Sequence, residues 1–268
     1  MTTKTTGTGT RRTPAGRLSP LVERYNRRTR WFHAAVYIVT TILLATGWWL
    51  LSGREGTPTP AAGALGVGDV TLHEWAGWAL LALGALGATR GARAARTLIR
   101  ASLSFARGDL RWFPAWPRAA VTGRFAAHDG AFDPGQRVAN LVMVGGLAAL
   151  AASGVGLVLV SGGPAFALLL RVHKAATYIV TPVIVGHVVV AAGLLPGYRG
   201  VWRSMHGRGR LEVQVARRLW PRWTERRLED LGRGGTAHAS APSRPPGEGP
   251  GGSGQGSAPS RPPGSDAS

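Results

Sequence analysis

The sequence contains no cysteine. That absence excludes disulfides, thiolate metal sites, cysteine-ligated iron–sulfur clusters and covalent haem attachment through a CxxCH motif. Acidic residues are scarce too, 13 Asp and Glu against 32 Lys and Arg, which leaves a net charge of +19. Such a balance invites a nucleic-acid reading, but the arginines flank apolar stretches and are not interleaved with stacking aromatics on a polar module. No nucleic-acid partner is expected. Residues 1–20 lack a short apolar core followed by a small-residue cleavage site, so no signal peptide is expected to be removed, and the first apolar run serves as its own insertion signal.

What the sequence has is segregation. Four stretches, at about 31–51, 72–90, 138–160 and 168–195, are nearly free of charge. Each reaches or approaches the ~20 residues a helix needs to cross a bilayer. The second is the shortest and is rich in Ala and Gly, which suits a helix packed inside a bundle. Lys and Arg alternate around these runs: eight precede Trp31, one lies in the first loop, nine run from Arg90 to Arg137, two lie near the third loop and twelve follow. The positive-inside rule then places both termini and the middle loop in the cytoplasm. The expected fold is an all-α integral membrane protein of the cell membrane, a multi-pass bundle of four transmembrane helices with both termini cytoplasmic.

Around the spans, residues 1–23 read as a flexible basic segment and 24–210 as the transmembrane domain. Residues 211–233 read as one interfacial amphipathic helix in contact with membrane lipid, with Leu211, Val215 and Leu219 at helical spacing. The Pro/Gly/Ser-rich tail, 234–268, lacks the apolar residues to build a core and is expected to be disordered. The middle loop carries Trp112, Trp116, Pro114 and Pro117; it reads either as a segment at headgroup depth or as a docking surface for a cytoplasmic partner.

Of the seven histidines, His33, His73, His173 and His187 lie in or at the ends of the apolar runs. An ionisable side chain at membrane depth is costly and demands a partner, so four together point to a functional site. A single one at a helix end can simply rest among headgroups or bond a neighbouring helix. His173 and His187 are fourteen residues apart, about 40° short of four full turns, so they share a helix face. They sit about 21 Å apart along the axis, one near each surface. Topology then pairs His33 with His187 on the inner side and His73 with His173 on the outer.

Two inward imidazoles at each level suit a planar cofactor with its metal held from both faces, and haem is the natural occupant. Two haem b groups ligated this way leave no vacant site for oxygen, which implies one-electron transfer. Gly47, Gly77, Gly84, Gly145, Gly146, Gly154, Gly156 and Gly186 are candidates for close approach of a macrocycle, or equally for ordinary helix packing. Zinc and copper are disfavoured because only Glu74 could add a carboxylate. An ion-conducting or purely anchoring bundle is the non-redox alternative, and it lacks the intramembrane carboxylates of a proton relay.

With Arg30-Trp31-Phe32-His33 opening the first run, His73 opening the second, Gly135-Gln136 before the third and His173 with His187 on the fourth, the chain resembles the cytochrome b, or gamma, subunit of membrane-bound formate dehydrogenases. That group lies within a wider di-haem, cytochrome b561-like family that includes hydrogenase cytochrome b subunits. Gly197-Tyr198-Arg199-Gly200 and Trp202-Arg203-Ser204-Met205 extend the likeness, which covers about residues 24–223. It implies a subunit that takes electrons from an iron–sulfur partner, itself fed by a molybdenum or tungsten catalytic subunit, and passes them through the outer and inner haems to quinone. His33 and His187 would ligate the inner haem, His73 and His173 the outer. The quinone pocket would adjoin Asp133, Gly135, Gln136 and His187, although the family commonly has Asn-Ala where this chain has Asp133-Pro134. A nickel–iron hydrogenase or another donor is the alternative. No acid–base or nucleophilic constellation for formate chemistry is visible, so the chain is an electron-transfer subunit of an oxidoreductase with no catalytic residues of its own for formate.

Overall fold

A computed structural model describes residues 11–12, 18–54 and 56–239 of the chain. Among these it is mostly helical: α1 (Arg27–Leu51), α2 (Pro60–Leu65), α3 (Asp69–Thr89), α4 (Ala92–Leu103), α5 (Trp112–Thr122), α6 (Pro134–Leu159), α7 (Gly163–Ala191), α8 (Val213–Leu219) and α9 (Pro221–Ala239). The strands are short: β1 (Arg11–Arg12) pairs with β2 (Leu18–Ser19), and β3 (Leu21–Glu23) with β4 (Arg210–Glu212), both antiparallel.

The long helices start where the sequence supplies caps. Asn26 accepts a hydrogen bond from the Thr29 amide at 2.9 Å and opens α1. At α6, Asp133 accepts from the Gln136 amide at 2.8 Å while Gln136 Oε1 accepts from the Asp133 amide at 3.2 Å, a reciprocal capping box with Pro134 at the first helical position. Within α7, Pro182 leaves the carbonyl four residues back without its usual amide partner.

Three helices, α1, α6 and α7, are long and apolar enough to cross a membrane. Four were expected. The fourth candidate, α3, has 21 residues but is not among those three; Asp69 and Glu74 lie in its first turns. It packs along α1 and touches α6, while α6 and α7 pack along each other. This shape follows from composition: an Ala/Gly-rich helix gains stability by close approach to neighbours.

One end of the bundle, where α1 and α6 begin and α7 finishes, is capped by polypeptide. The segment between the second and third apolar runs folds into α4 and α5, with Trp112 buried and Trp116 partly buried against the core of the cap. The region expected to be flexible up to residue 23 ends in β3, fixed by its pairing with β4. The single amphipathic helix expected over 211–233 is replaced by β4, α8 and α9; the helix breaks at Trp220, which leaves the helical conformation (φ −140°, ψ 66°) just before Pro221. Ala120, Tyr198, Val201, Leu211, Leu219 and Trp220 form the core of the cap.

Arg137, fully buried, pins the cap to α6: it donates to Asp109 at 2.6 Å, to the Ser104 carbonyl at 2.5 Å and to the Phe132 carbonyl at 3.0 Å. The Arg24 guanidinium lies over Trp220 and Trp223 at 4.3 and 4.2 Å from their ring centres. At the other end, the open end, α1 leads through α2 into α3 and α6 turns into α7. Of the tail expected to be disordered, α9 occupies residues up to Ala239, and residues 240–268 lie outside those described, as do residues 1–10 and 13–17.

Candidate cofactor-binding site

The bundle places His33, His73, His173 and His187 in two pairs. His73 at the start of α3 faces His173 near the start of α7, with ring centres 6.1 Å apart. His33 on the first turns of α1 faces His187 near the end of α7, with ring centres 6.3 Å apart. Two imidazoles trans across a metal at a bond length of about 2 Å would have ring centres about 6 Å apart. Both pairs match the spacing of two imidazoles on one metal centre.

Each pair borders a cavity. The open-end cavity has about 600 Å³ and is lined by His73 and His173 with Leu43, Gly47, Gly77, Leu150, Gly154 and Phe166 among others. The capped-end cavity has about 380 Å³ and holds His33 and His187 together with Asp133, Gly135 and Gln136, the residues singled out for a quinone. All seven expected site residues are thus gathered into two places. His206, Asn140, Trp112, Trp116, Tyr198 and Trp220 share the second cavity. Sequence reasoning missed His206 because it lies beyond the last apolar run.

At the open end the ring orientations are fixed by hydroxyls. Thr46 Oγ1 lies 2.8 Å from His73 Nδ1, and it also lies 2.8 Å from the Ile42 carbonyl, which can only accept. The hydroxyl proton is therefore used on the helix, and His73 Nδ1 must carry the proton it donates to Thr46. Ser153 does the same, 2.6 Å from the Ala149 carbonyl and 3.0 Å from His173 Nδ1. Both rings are held with Nε2 as the free lone-pair nitrogen, the form a metal requires. Neither hydroxyl was singled out from sequence, although each directly precedes a glycine in an apolar run. A Cβ on Gly47 would come within 3.2 Å of His73 Cε1, and one on Gly154 within 3.5 Å of His173 Cε1, so these two glycines make room for the rings. Gly156 instead admits Leu169, and Gly146 admits Val180, as ordinary helix packing does.

The capped end is built differently. His33 Nδ1 is buried and has no hydrogen-bond partner, and His187 makes no hydrogen bond to the described residues. The His33 ring is flanked by Tyr37 and His206, with centres 5.8 and 6.4 Å away. Beside them, burial lifts the Asp133 carboxyl to about 6, opposed by the amides of Gln136 and Gly135 and then by Arg137 and Arg24. Burial likewise raises the Tyr198 hydroxyl, which accepts from Trp116 Nε1 at 2.9 Å. Gln136 Oε1, already used in the capping box, also receives Trp220 Nε1 at 2.9 Å, so only its amide NH2 is left for a ligand.

Haem fits this donor set on the structure's own terms. Among the described residues no three His, Cys, Asp or Glu side chains come together to hold a free ion, so each pair needs a group that brings further ligands, as a porphyrin does. Thr40 Oγ1, on the wall of the open-end cavity, is buried without a partner, as His33 Nδ1 is at the other. Residues 24–208 match the sequence profile of the prokaryotic cytochrome b561 family. The chain belongs to that family. It is accordingly a membrane-integral cytochrome b that binds b-type haem and transfers electrons. A search of curated proteins finds no match to this cytochrome b561.

Proposed function

We propose that this cytochrome b561 is a di-haem wire of four transmembrane helices in the cell membrane, the subunit of a respiratory formate dehydrogenase that carries electrons from an iron–sulfur partner to quinone. The observation that carries this reading is the repetition of one feature at two levels: a histidine pair about 6 Å apart beside a cavity. His73 and His173 hold one haem at the open, outer end, and His33 and His187 hold the other at the capped, cytoplasmic end. Haem held by these histidines would supply reversible one-electron transfer. Asp133, Gly135 and Gln136 form part of the wall against which quinone docks, and the Gln136 amide is placed to donate to a quinone carbonyl.

A hydrogenase cytochrome b has equal support from the family, since nothing in the two cavities distinguishes the donor. The formate assignment rests on the resemblance set out above, with the His173/His187 spacing and the exit sequence from Gly197 to Met205 as its most specific elements. Purification of the tagged chain from its native membranes, followed by identification of the subunits that accompany it, decides the donor: a molybdenum or tungsten subunit with a ferredoxin-like subunit supports formate dehydrogenase, and nickel–iron subunits contradict it. Reduced cytochrome mixed with a short-chain quinone analogue should be reoxidised, and an Asp133/Gln136 double substitution should slow this without loss of haem.

A further inference from the structure

The two histidine pairs differ in what their outward nitrogens touch. At the open end both Nδ1 atoms meet a hydroxyl, Thr46 at 2.8 Å and Ser153 at 3.0 Å, and both residues are 3% exposed. Each hydroxyl spends its own proton on the carbonyl four residues back in its helix, so it stands as a fixed acceptor for the imidazole. At the capped end His33 Nδ1 is buried with no acceptor, and His187 has none among the described residues.

We infer that Thr46 and Ser153 hold the open-end haem at a lower reduction potential than the capped-end haem by polarising both of its axial imidazoles. The inference rests on the ligand pairs proposed above. An imidazole that donates from Nδ1 to an oxygen gains electron density in the ring, and its Nε2 becomes a stronger donor to iron. A stronger donor favours the ferric over the ferrous ion, which lowers the potential. Burial keeps water from competing, so the effect of each hydrogen bond on the ring is larger than it would be in solvent. The capped-end imidazoles lack such a bond and remain weaker donors. Electrons delivered at the open end then run downhill to the capped end, and the direction is built into two hydroxyls on α1 and α6.

The test is a potentiometric titration of the purified full-length cytochrome, followed by the visible absorbance of its haems. Thr46→Val and Ser153→Ala should each raise the lower midpoint by a roughly tenfold change in ferric preference, about 59 mV for one electron, and leave the upper midpoint in place. The double variant should raise it further. Thr46→Ser keeps the hydroxyl and should restore the parent value, which a merely space-filling role for Thr46 would not require. Should Thr46→Val reduce haem content, Ser153→Ala, which removes a single oxygen, carries the measurement. An unmoved lower midpoint, or movement of the upper one instead, overturns the inference while leaving the ligand pairs standing. Loss of the ligand pairs themselves has a separate signature, a parent protein without two b-type haems.

Discussion

The open and capped ends of the bundle present the same pair of side chains in different settings. At the open end the histidines are oriented by hydroxyls of the spans themselves, Thr46 on α1 and Ser153 on α6, and glycines next in sequence leave room for the rings. At the capped end the rings lack those ties, and their cavity is closed by residues from outside the spans: Trp112, Trp116, Tyr198, His206 and Trp220. One end is a socket made by helices, the other a chamber made by helices and cap. A socket fixes ligand geometry and needs little else; a chamber with polar walls at Asp133 and Gln136 can admit a second molecule. Under the proposed function, this asymmetry would separate a site that relays electrons from one that also hands them to quinone.

Removing ligands should break the comparison most sharply. His73→Ala and His173→Ala should each abolish the same haem, half of the total, while His33→Ala and His187→Ala each abolish the other; low-temperature visible spectra would resolve which component is missing. A crossed pattern of losses would contradict the pairing. Next in size is Arg137→Met, which leaves Asp109 buried without its partner, 2.6 Å away in the parent. Breaking a buried pair costs about 3–5 kcal/mol, and here the loss should fall on the cap. Thermal unfolding in detergent should show the capped-end haem released first, with the open-end haem retained to higher temperature.

Smaller effects sharpen the contrast. Gly47→Ala brings a Cβ to 3.2 Å from His73, tight enough to tilt the ring, whereas Gly154→Ala makes an ordinary 3.5 Å contact with His173. Gly47→Ala should shift the absorption of the open-end haem and Gly154→Ala should shift it less, with the capped-end component unchanged in both. The smallest effect is one of pH. Asp133 sits at about 6 in the folded protein, above its ordinary 3.8, because burial disfavours its charge. The folded state then binds the proton more tightly than the unfolded chain, so stability falls as pH rises from about 4 through about 6. Asp133→Asn keeps a good helix cap and should flatten that fall, which melting curves at pH 4.5 and pH 7 would detect.

Much of this was legible in the sequence because lipid imposes coarse rules. Uncharged runs and the alternation of arginine mark α1, α6 and α7, and helical periodicity alone puts His173 and His187 on one face. The fold departs from the pattern where packing competes with composition: α3 is long enough to span but carries Asp69 and Glu74. The cap was largely illegible, because it depends on contacts between distant segments, such as β3 with β4 and Arg137 with Asp109, and no local periodicity signals them. Pro221 was a readable break that the amphipathic pattern of 211–233 outweighed. The hydroxyls of Thr46 and Ser153 were in view as side chains, yet only the packing of α1 on α3 and α6 on α7 shows which imidazole each one meets.

The central claim is that two histidine pairs hold two haems in one chain. The ratio of non-covalent b-type haem to polypeptide in the purified protein, read from the pyridine haemochrome spectrum against amino-acid analysis, tests it most directly. A ratio of two that falls to one in both His73→Ala and His33→Ala is the expected result; a parent ratio of one or zero would contradict the account.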